Sequence, residues 1–346
     1  MRRPYLVVVA LALLAGGLTG CARPTAPAAT RTVVDAAGVT VTIPARVDRI
    51  VNLWTSGVQL MVALGLGDHL AGVNTGSKSE WALYADPALA VVPEFGADVG
   101  AEALLATKAD VVLLTDATKA ADLRSKGGTA VCFRHFTLDT FRANVRLLGD
   151  IIGGDAAARA AAYVTYLDDT IREVGTALQS VTTPTRLYYI DGYGGGRSFY
   201  QTIGGGTINA ETARAAHTVL VTEGLLDANA TQVDAETVIA ANPQAIIVGR
   251  AAGTGLVERL LAAPEWQSVT AVATGRVFTV PVGIAAWERY GAEIALMIPW
   301  LATTIYPTLY APDMVERTRS FYQTFTGITL TSDQVRLMLA GVGPHG

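Results

Sequence analysis

Asp155-Ala-Ala-Ala-Arg-Ala-Ala-Ala-Tyr-Val-Thr-Tyr-Leu-Asp-Asp-Thr-Ile-Arg-Glu-Val-Gly-Thr-Ala-Leu178 is the stretch that decides the architecture. It follows a break at Gly153-Gly154, and Val181-Thr-Thr-Pro184 ends it. Alanine, leucine and arginine favour helix, and Asp155 is placed to cap one. A helix of about 23 residues rises about 35 Å at about 1.5 Å per residue. That length suits a rigid strut between two lobes better than a helix inside one.

The segments on either side read alike. Before the strut, apolar runs at Ile50–Leu53, Leu70–Val73, Val111–Leu114 and Ala130–Phe133 alternate with helical patterns at Val58–Leu64, Ser79–Tyr84 and Ala101–Thr107. After it, strand runs at Arg186–Ile190, Ala245–Val248 and Val277–Val280 alternate with helical patterns at Thr207–Ala216, Ala235–Ala241, Leu256–Ala262 and Gly291–Thr304. Met314–Phe325 and Ser332–Leu339 read as closing helices. Alternation at this pace predicts parallel α/β units. A β-hairpin is expected upstream, where two β-branched runs within Thr32–Ile43 flank a turn at Ala36-Ala37-Gly38. The halves also echo each other. Glu102-Ala-Leu-Leu-Ala-Thr-Lys-Ala-Asp-Val-Val-Leu113 and Glu236-Thr-Val-Ile-Ala-Ala-Asn-Pro-Gln-Ala-Ile-Ile247 each open a short helix with Glu, turn at a basic or amide residue, and enter a buried strand.

The first residues carry an address. Arg2 and Arg3 precede an apolar run from Leu6 to Leu14, the length of a signal h-region and too short for a mature span. Leu18-Thr-Gly-Cys21 then resembles the lipobox of bacterial lipoproteins, which implies cleavage before Cys21 and acylation of its thiol. The segment from Arg23 to Arg31 is Ala, Pro and Thr without periodicity and reads as a tether. Removing Arg2 and Arg3 with the leader leaves 24 basic and 30 acidic residues, a net charge of −6, so no basic field for nucleic acid exists. Between Ala285 and Tyr310 the chain is apolar, but Glu288, Arg289, Glu293, Pro299 and Pro307 argue against a membrane span. Cys132 is the one cysteine beyond Cys21, so no internal disulfide supports the fold.

From about residue 32 onward the chain resembles the substrate-binding proteins of ABC importers for iron-siderophores, haem and cobalamin. Val33 to Pro44 with Arg49-Ile-Val51, the two Glu-helix-strand echoes, the Phe141–Leu178 helix and Thr202-Ile-Gly-Gly-Gly-Thr-Ile-Asn209 carry the resemblance. Trp287, Pro299-Trp-Leu-Ala302, Tyr306-Pro307 and Phe321 to Phe325 are similar to a subgroup with an extended C-terminus, which includes iron-complex, corrinoid and molybdate or tungstate binders. The resemblance implies an α/β fold of two Rossmann-like lobes with parallel-rich sheets, joined by one long helix, with the ligand cleft between the lobes. The divisions expected are a signal peptide at 1–20, a lipidated tether at 21–31, a first lobe at 32–154, the connecting helix at 155–182 and a second lobe with extra terminal helices at 183–346. The implied partners are a metal-chelate ligand, the importer's permease and ATPase, and a membrane reached through the lipid. A monomer without a resident cofactor is expected. Glu102 and Glu236 match the family's permease-docking acids; equally, acids in a first helical turn complement the helix dipole.

Open α/β sheets bind ligands beyond the carboxyl ends of their strands. The loops there hold Trp54, Thr55, Ser56, Trp81, Arg134 and His135 in the first half, and Tyr193, Arg250, Trp287 and Arg289 in the second. Aromatic rings offer flat area for a macrocycle or catecholate, and arginine forks clamp oxygen anions. Packing on their own helices is the plain alternative for the aromatics, and solvation for the arginines. His135 lacks a Cys, His or carboxylate partner at ligand spacing, so no direct metal site is expected. Gly204-Gly-Gly206 before a helix is an anion site in principle. A Gly-x-Ser-x-Gly elbow, a His-Glu-x-x-His pair and a carboxylate dyad are all missing, which weighs against an envelope hydrolase or chelatase. A scavenger that serves no importer would have no need of two docking acids.

Overall fold

The computed structural model describes residues 29–134, 137–191, 198–226, 232–250 and 255–346. The chain opens on an antiparallel hairpin of β1 (Thr30–Val34) and β2 (Thr40–Pro44). Asp35 makes its turn, accepting from the amides of Ala37 and Val39 at 2.9 Å each. The first lobe runs β3 (Ile50–Asn52), α1 (Thr55–Ala63), β4 (Leu70–Asn74), α2 (Glu80–Ala85), β5 (Glu94–Phe95), α3 (Ala101–Ala106), β6 (Val111–Leu114), α4 (Ala117–Ser125) and β7 (Ala130–Cys132). Its strands are all parallel, in the order β5-β4-β3-β6-β7. Helices α5 (Leu138–Ile152) and α6 (Asp155–Ala177) lead onward. The second lobe runs β8 (Thr185–Ile190), α7 (Ile208–Ala215), β9 (Thr218–Leu220), α8 (Ala235–Ala241), β10 (Ala245–Val248), α9 (Leu256–Ala262), α10 (Thr270–Ala273) and β11 (Val277–Thr279). That sheet is also parallel, in the order β11-β10-β8-β9. Helices α11 (Ile294–Ile305), α12 (Met314–Phe325) and α13 (Ser332–Leu339) follow.

Each sheet begins on an interior strand, builds to one side, then crosses back to build the other. The strand order therefore reverses between β3 and β6 in the first lobe and between β8 and β10 in the second. Such switch points leave a crevice at the carboxyl ends of the strands. The two-lobe α/β architecture is the one the sequence predicts. The echoed units occupy equivalent places: α3 feeds β6 and α8 feeds β10, each beside the first strand of its lobe. The equivalence reaches the backbone, because Lys108 and Asn242 in the two turns both take positive φ, 52° and 41°.

Side-chain alternation divides the core. Val111 and Leu113 of β6 and Ala245 and Ile247 of β10 face one large cluster that runs through both lobes. Val112 and Leu114 face a smaller cluster in the first lobe, and Ile246 and Val248 another in the second. Helix α6 is embedded in the shared cluster, not an exposed strut: Tyr163, Val164, Leu167 and Val174 are buried along it. The Tyr163 hydroxyl donates to the Ala292 carbonyl at 2.8 Å. Arg317 of α12 reaches Glu173 at 2.8 Å and Thr170 at 2.9 Å, pinning the far end. Gly154 caps α6, and Asp155 lies one residue inside the first turn, where its charge complements the helix dipole.

The missed elements have little apolar signal. Helix α4 buries Ala120 and Leu123 alone, β5 is two residues long and β9 three. Among the described residues no helix is long and apolar enough to cross a membrane.

Candidate functional site

The carboxyl ends of the two sheets meet. Ser56, at the start of α1 beyond β3, donates its hydroxyl to the Arg289 carbonyl at 2.7 Å. Arg289 in turn sends Nη2 to the carbonyl of Asp191, the residue after β8, at 3.3 Å, and lies 3.5 Å from the Asp191 carboxylate. Nε of the same guanidinium lies 3.8 Å from Glu288 Oε1. That oxygen accepts from the amide of Arg250, just beyond β10, at 2.8 Å. Both switch points are thus joined at one junction between the lobes.

The junction is tight. A Cβ on Gly249 would lie 2.9 Å from the Asp191 carbonyl oxygen and 3.1 Å from Glu288 Oε1, so only glycine fits without displacement. Burial pushes the Glu288 carboxyl above its ordinary range, while Arg289 opposes the shift. Tyr189, Asn209, Thr212 and Glu288 help line a small cavity of about 10 Å³. Among the described residues, the Tyr189 hydroxyl and Glu288 Oε2 are buried without a hydrogen-bond partner. On the first-lobe side, Asn74, Thr75, Phe95, Thr115, Asp116 and Lys119 line an open crevice of about 300 Å³ at the ends of β4, β5 and β6. Asn74 donates to Thr55 Oγ1 at 2.5 Å, which ties the loops after β3 and β4 together.

The candidate residues divide by exposure. Arg134 is exposed at the end of β7, Arg250 and Arg289 are half-buried, and Thr55 and Ser56 lie at the junction. The three tryptophans behave otherwise. Trp287 is 0% exposed and Trp81 2%, and Trp54, at 4%, stacks on Phe133 with centroids 5.3 Å apart. Trp81 donates to the Val342 carbonyl at 2.9 Å and so belongs to the contact between lobes. None of the three offers an open ring to a ligand in this conformation; the apolar area that made them attractive is spent on the core. His135, Tyr193 and Cys21 lie outside the described residues. The Gly204–Gly206 turn leads to Thr207, whose own hydroxyl accepts from the Ala210 amide at 3.2 Å and caps α7. Glu102 and Glu236 are exposed in the first turns of α3 and α8. No group of three or more His, Cys, Asp or Glu is placed to hold a metal among the described residues. Of the junction residues, Asp191 and Glu288 lie in the loops that the sequence marks as places for a ligand, whereas Gly249, between β10 and Arg250, carries no sequence signal of its own.

A family model described as Periplasmic binding protein matches residues 50–282. The chain belongs to this family. Among relatives of this periplasmic binding protein, an ABC transporter substrate-binding lipoprotein of Bacillus subtilis strain 168, called YvrC and uncharacterized, is 23% identical over 334 residues. That match covers 90% of this chain and 99% of the relative. A periplasmic solute binding protein of Veillonella parvula superposes with a TM-score of 0.77 at 22% identity, covering 92% of this chain and 99% of that one. The molybdate periplasmic binding protein MolA of Haemophilus influenzae, bound to molybdate, gives a TM-score of 0.76 at 20% identity, covering 87% and 99%. Family and fold agree with the resemblance read from the sequence.

Proposed function

We propose that this periplasmic binding protein is the lipid-anchored substrate-binding component of an ABC importer, and that it carries a metal complex in the cleft between its lobes. The junction of Ser56, Arg289, Asp191, Glu288 and Arg250 carries the reading, because it brings the carboxyl ends of both sheets to one place. Arg250 and Arg289 at the junction, and Arg134 exposed at the end of β7, are the cations assigned to hold the ligand's carboxylate, catecholate or oxyanion groups. Ferric siderophores, haem and corrinoids are the metal complexes in question. Molybdate or tungstate is the second reading. It is favoured by the burial of Trp54, Trp81 and Trp287, which takes away the flat aromatic wall a macrocycle would use, and by the similarity to the molybdate binder MolA. Glu102 and Glu236 are assigned to permease docking, and the Cys21 lipid to retention at the envelope.

Titration calorimetry and thermal melts with a ferric siderophore, haem, cobalamin and sodium molybdate test the ligand. A saturable one-to-one response to a metal complex is expected. Arg134→Ala and Arg250→Ala should each weaken it about tenfold or more, the range for a charge-assisted hydrogen bond. A response to molybdate alone selects the second reading, and silence toward all four removes both.

A further inference from the structure

Resting on the reading above, we propose that Glu288 is the positioning residue of the ligand site, a single buried carboxylate that fixes Arg250, Arg289 and Asp191 beyond the carboxyl ends of β10 and β8. Its Oε1 accepts from the Arg250 amide at 2.8 Å and lies 3.8 Å from Arg289 Nε. Through Arg289 it reaches the carbonyl and carboxylate of Asp191, and through the Arg289 carbonyl it reaches Ser56 of the first lobe. One oxygen atom thus touches the loop after β10 and the segment bearing Arg289, and that arginine connects to the loop after β8. The missing Cβ of Gly249 is what lets it approach.

The residue is costly where it stands. A carboxylate taken out of water is expensive unless fully paired, and among the described residues Glu288 Oε2 is buried without a partner. Stability alone would favour an apolar side chain here. The arrangement makes sense as pre-organisation: Asp191, Arg250 and Arg289, held in place before the ligand arrives, need not be ordered when it does. Charged and titratable groups facing the carboxyl are Arg289 beside it and Asp191 and Tyr189 at the end of β8.

Hydrogen–deuterium exchange on the ligand-free protein tests this directly. In Glu288→Ala, exchange at the Arg250 amide and across residues 286–291 should accelerate about ten- to a hundredfold, with the amides of β8 and β10 unchanged. Glu288→Gln keeps an acceptor for Arg250 and loses the charge beside Arg289. In it the Arg250 amide should stay close to wild type while residues 289–291 exchange several-fold faster, and this variant decides the matter if Glu288→Ala does not fold. Unchanged exchange at all these positions overturns the proposal. So does acceleration spread evenly through β8 and β10, which would make Glu288 a residue of global stability only. Melts with sodium molybdate and a ferric catecholate keep the two readings apart. If neither ligand shifts the wild type, the ligand assignment fails and the exchange data still decide the role of Glu288.

Discussion

Gly249 and Glu293 show how individual residues set this molecule's tolerances. A methyl group at Gly249 would press on the carbonyl oxygens of Asp191 and Ile190, at 2.9 and 3.1 Å, and neither can move without the strand it ends. Gly249→Ala should therefore cost about 1–3 kcal/mol, the usual range for overpacking, and weaken ligand binding as well. Urea titration beside calorimetry checks both. Glu293 is wholly buried; its Oε1 accepts from the Tyr322 hydroxyl at 2.8 Å and the Ala285 amide at 3.1 Å. Burial raises its carboxyl above the ordinary glutamate value of 4.5, and the bonds from Tyr322 and Ala285 only partly offset that. A raised acid penalises the folded state once ionised. The penalty sets in as pH rises above the unfolded value and is complete above the folded one. Glu293→Gln should flatten the fall in stability with rising pH over that window, as melts between pH 4 and pH 8 will show, roughly spanning the expected titration. At this scale the sequence was legible for chemistry and opaque for direction. Arg134, Arg250 and Arg289 carry charge wherever they point, but Trp54, Trp81 and Trp287 are as suited to a core as to a cleft. Only tertiary packing decides between the two.

At the scale of elements, the repeated unit was the most readable part of the chain. The unbroken apolar runs of β6 and β10, buried at every position, and the first-turn acids of α3 and α8 are local properties that neighbouring residues specify. Helix α4 was harder to read because its cap is its best signal: Asp116 accepts from the amides of Thr118 and Lys119 at 2.8 and 3.0 Å. The turns of the repeat differ in one respect. Asn242 tolerates the left-handed region, whereas Lys108, at φ 52°, has no side-chain chemistry to favour it. Lys108→Asn should stabilise by several tenths of a kcal/mol to about 1 kcal/mol, measurable as a higher urea midpoint with unchanged slope. If Glu102 and Glu236 meet permease cations, the double change to Ala should lower transport in reconstituted vesicles while leaving ligand affinity intact, since neither residue lies at the junction. The loss is expected to be large if the pairs are desolvated, about 2–5 kcal/mol each, and small if they stay at a wet rim. Normal transport by the double variant would reduce both acids to helix-dipole partners.

As a whole, the molecule is more continuous than two lobes on a strut. The largest apolar cluster includes residues of both lobes and of α5, α6, α11 and α12. This continuity was not legible in the sequence, because contacts between distant segments leave no periodic trace. The proposed lipid on Cys21 belongs to this scale too. If Cys21 carries the lipid, Cys21→Ser should release the protein from membranes without altering its melting temperature or ligand affinity, because the Ala-, Pro- and Thr-rich segment read as a tether would separate anchor from fold. Retention of the cleaved variant in the membrane fraction would argue against lipidation. The lobes also touch along a second line. Ser79 of the first lobe donates to the Ile284 carbonyl at 2.7 Å, Gln334 donates to the Tyr84 hydroxyl at 2.7 Å, and Trp81 reaches Val342 across 261 positions of sequence. The chain therefore returns at its end to the lobe where it began, and the connection is a ring with two arms. Opening a ring of this kind strains both arms together, so the easy motion is a shallow twist, not a jaw-like swing. A dye on the last residues and another on α2 would then keep their separation through a cycle of loading and release. A reporter fused to the carboxyl end would follow the first lobe, although it is encoded after the second.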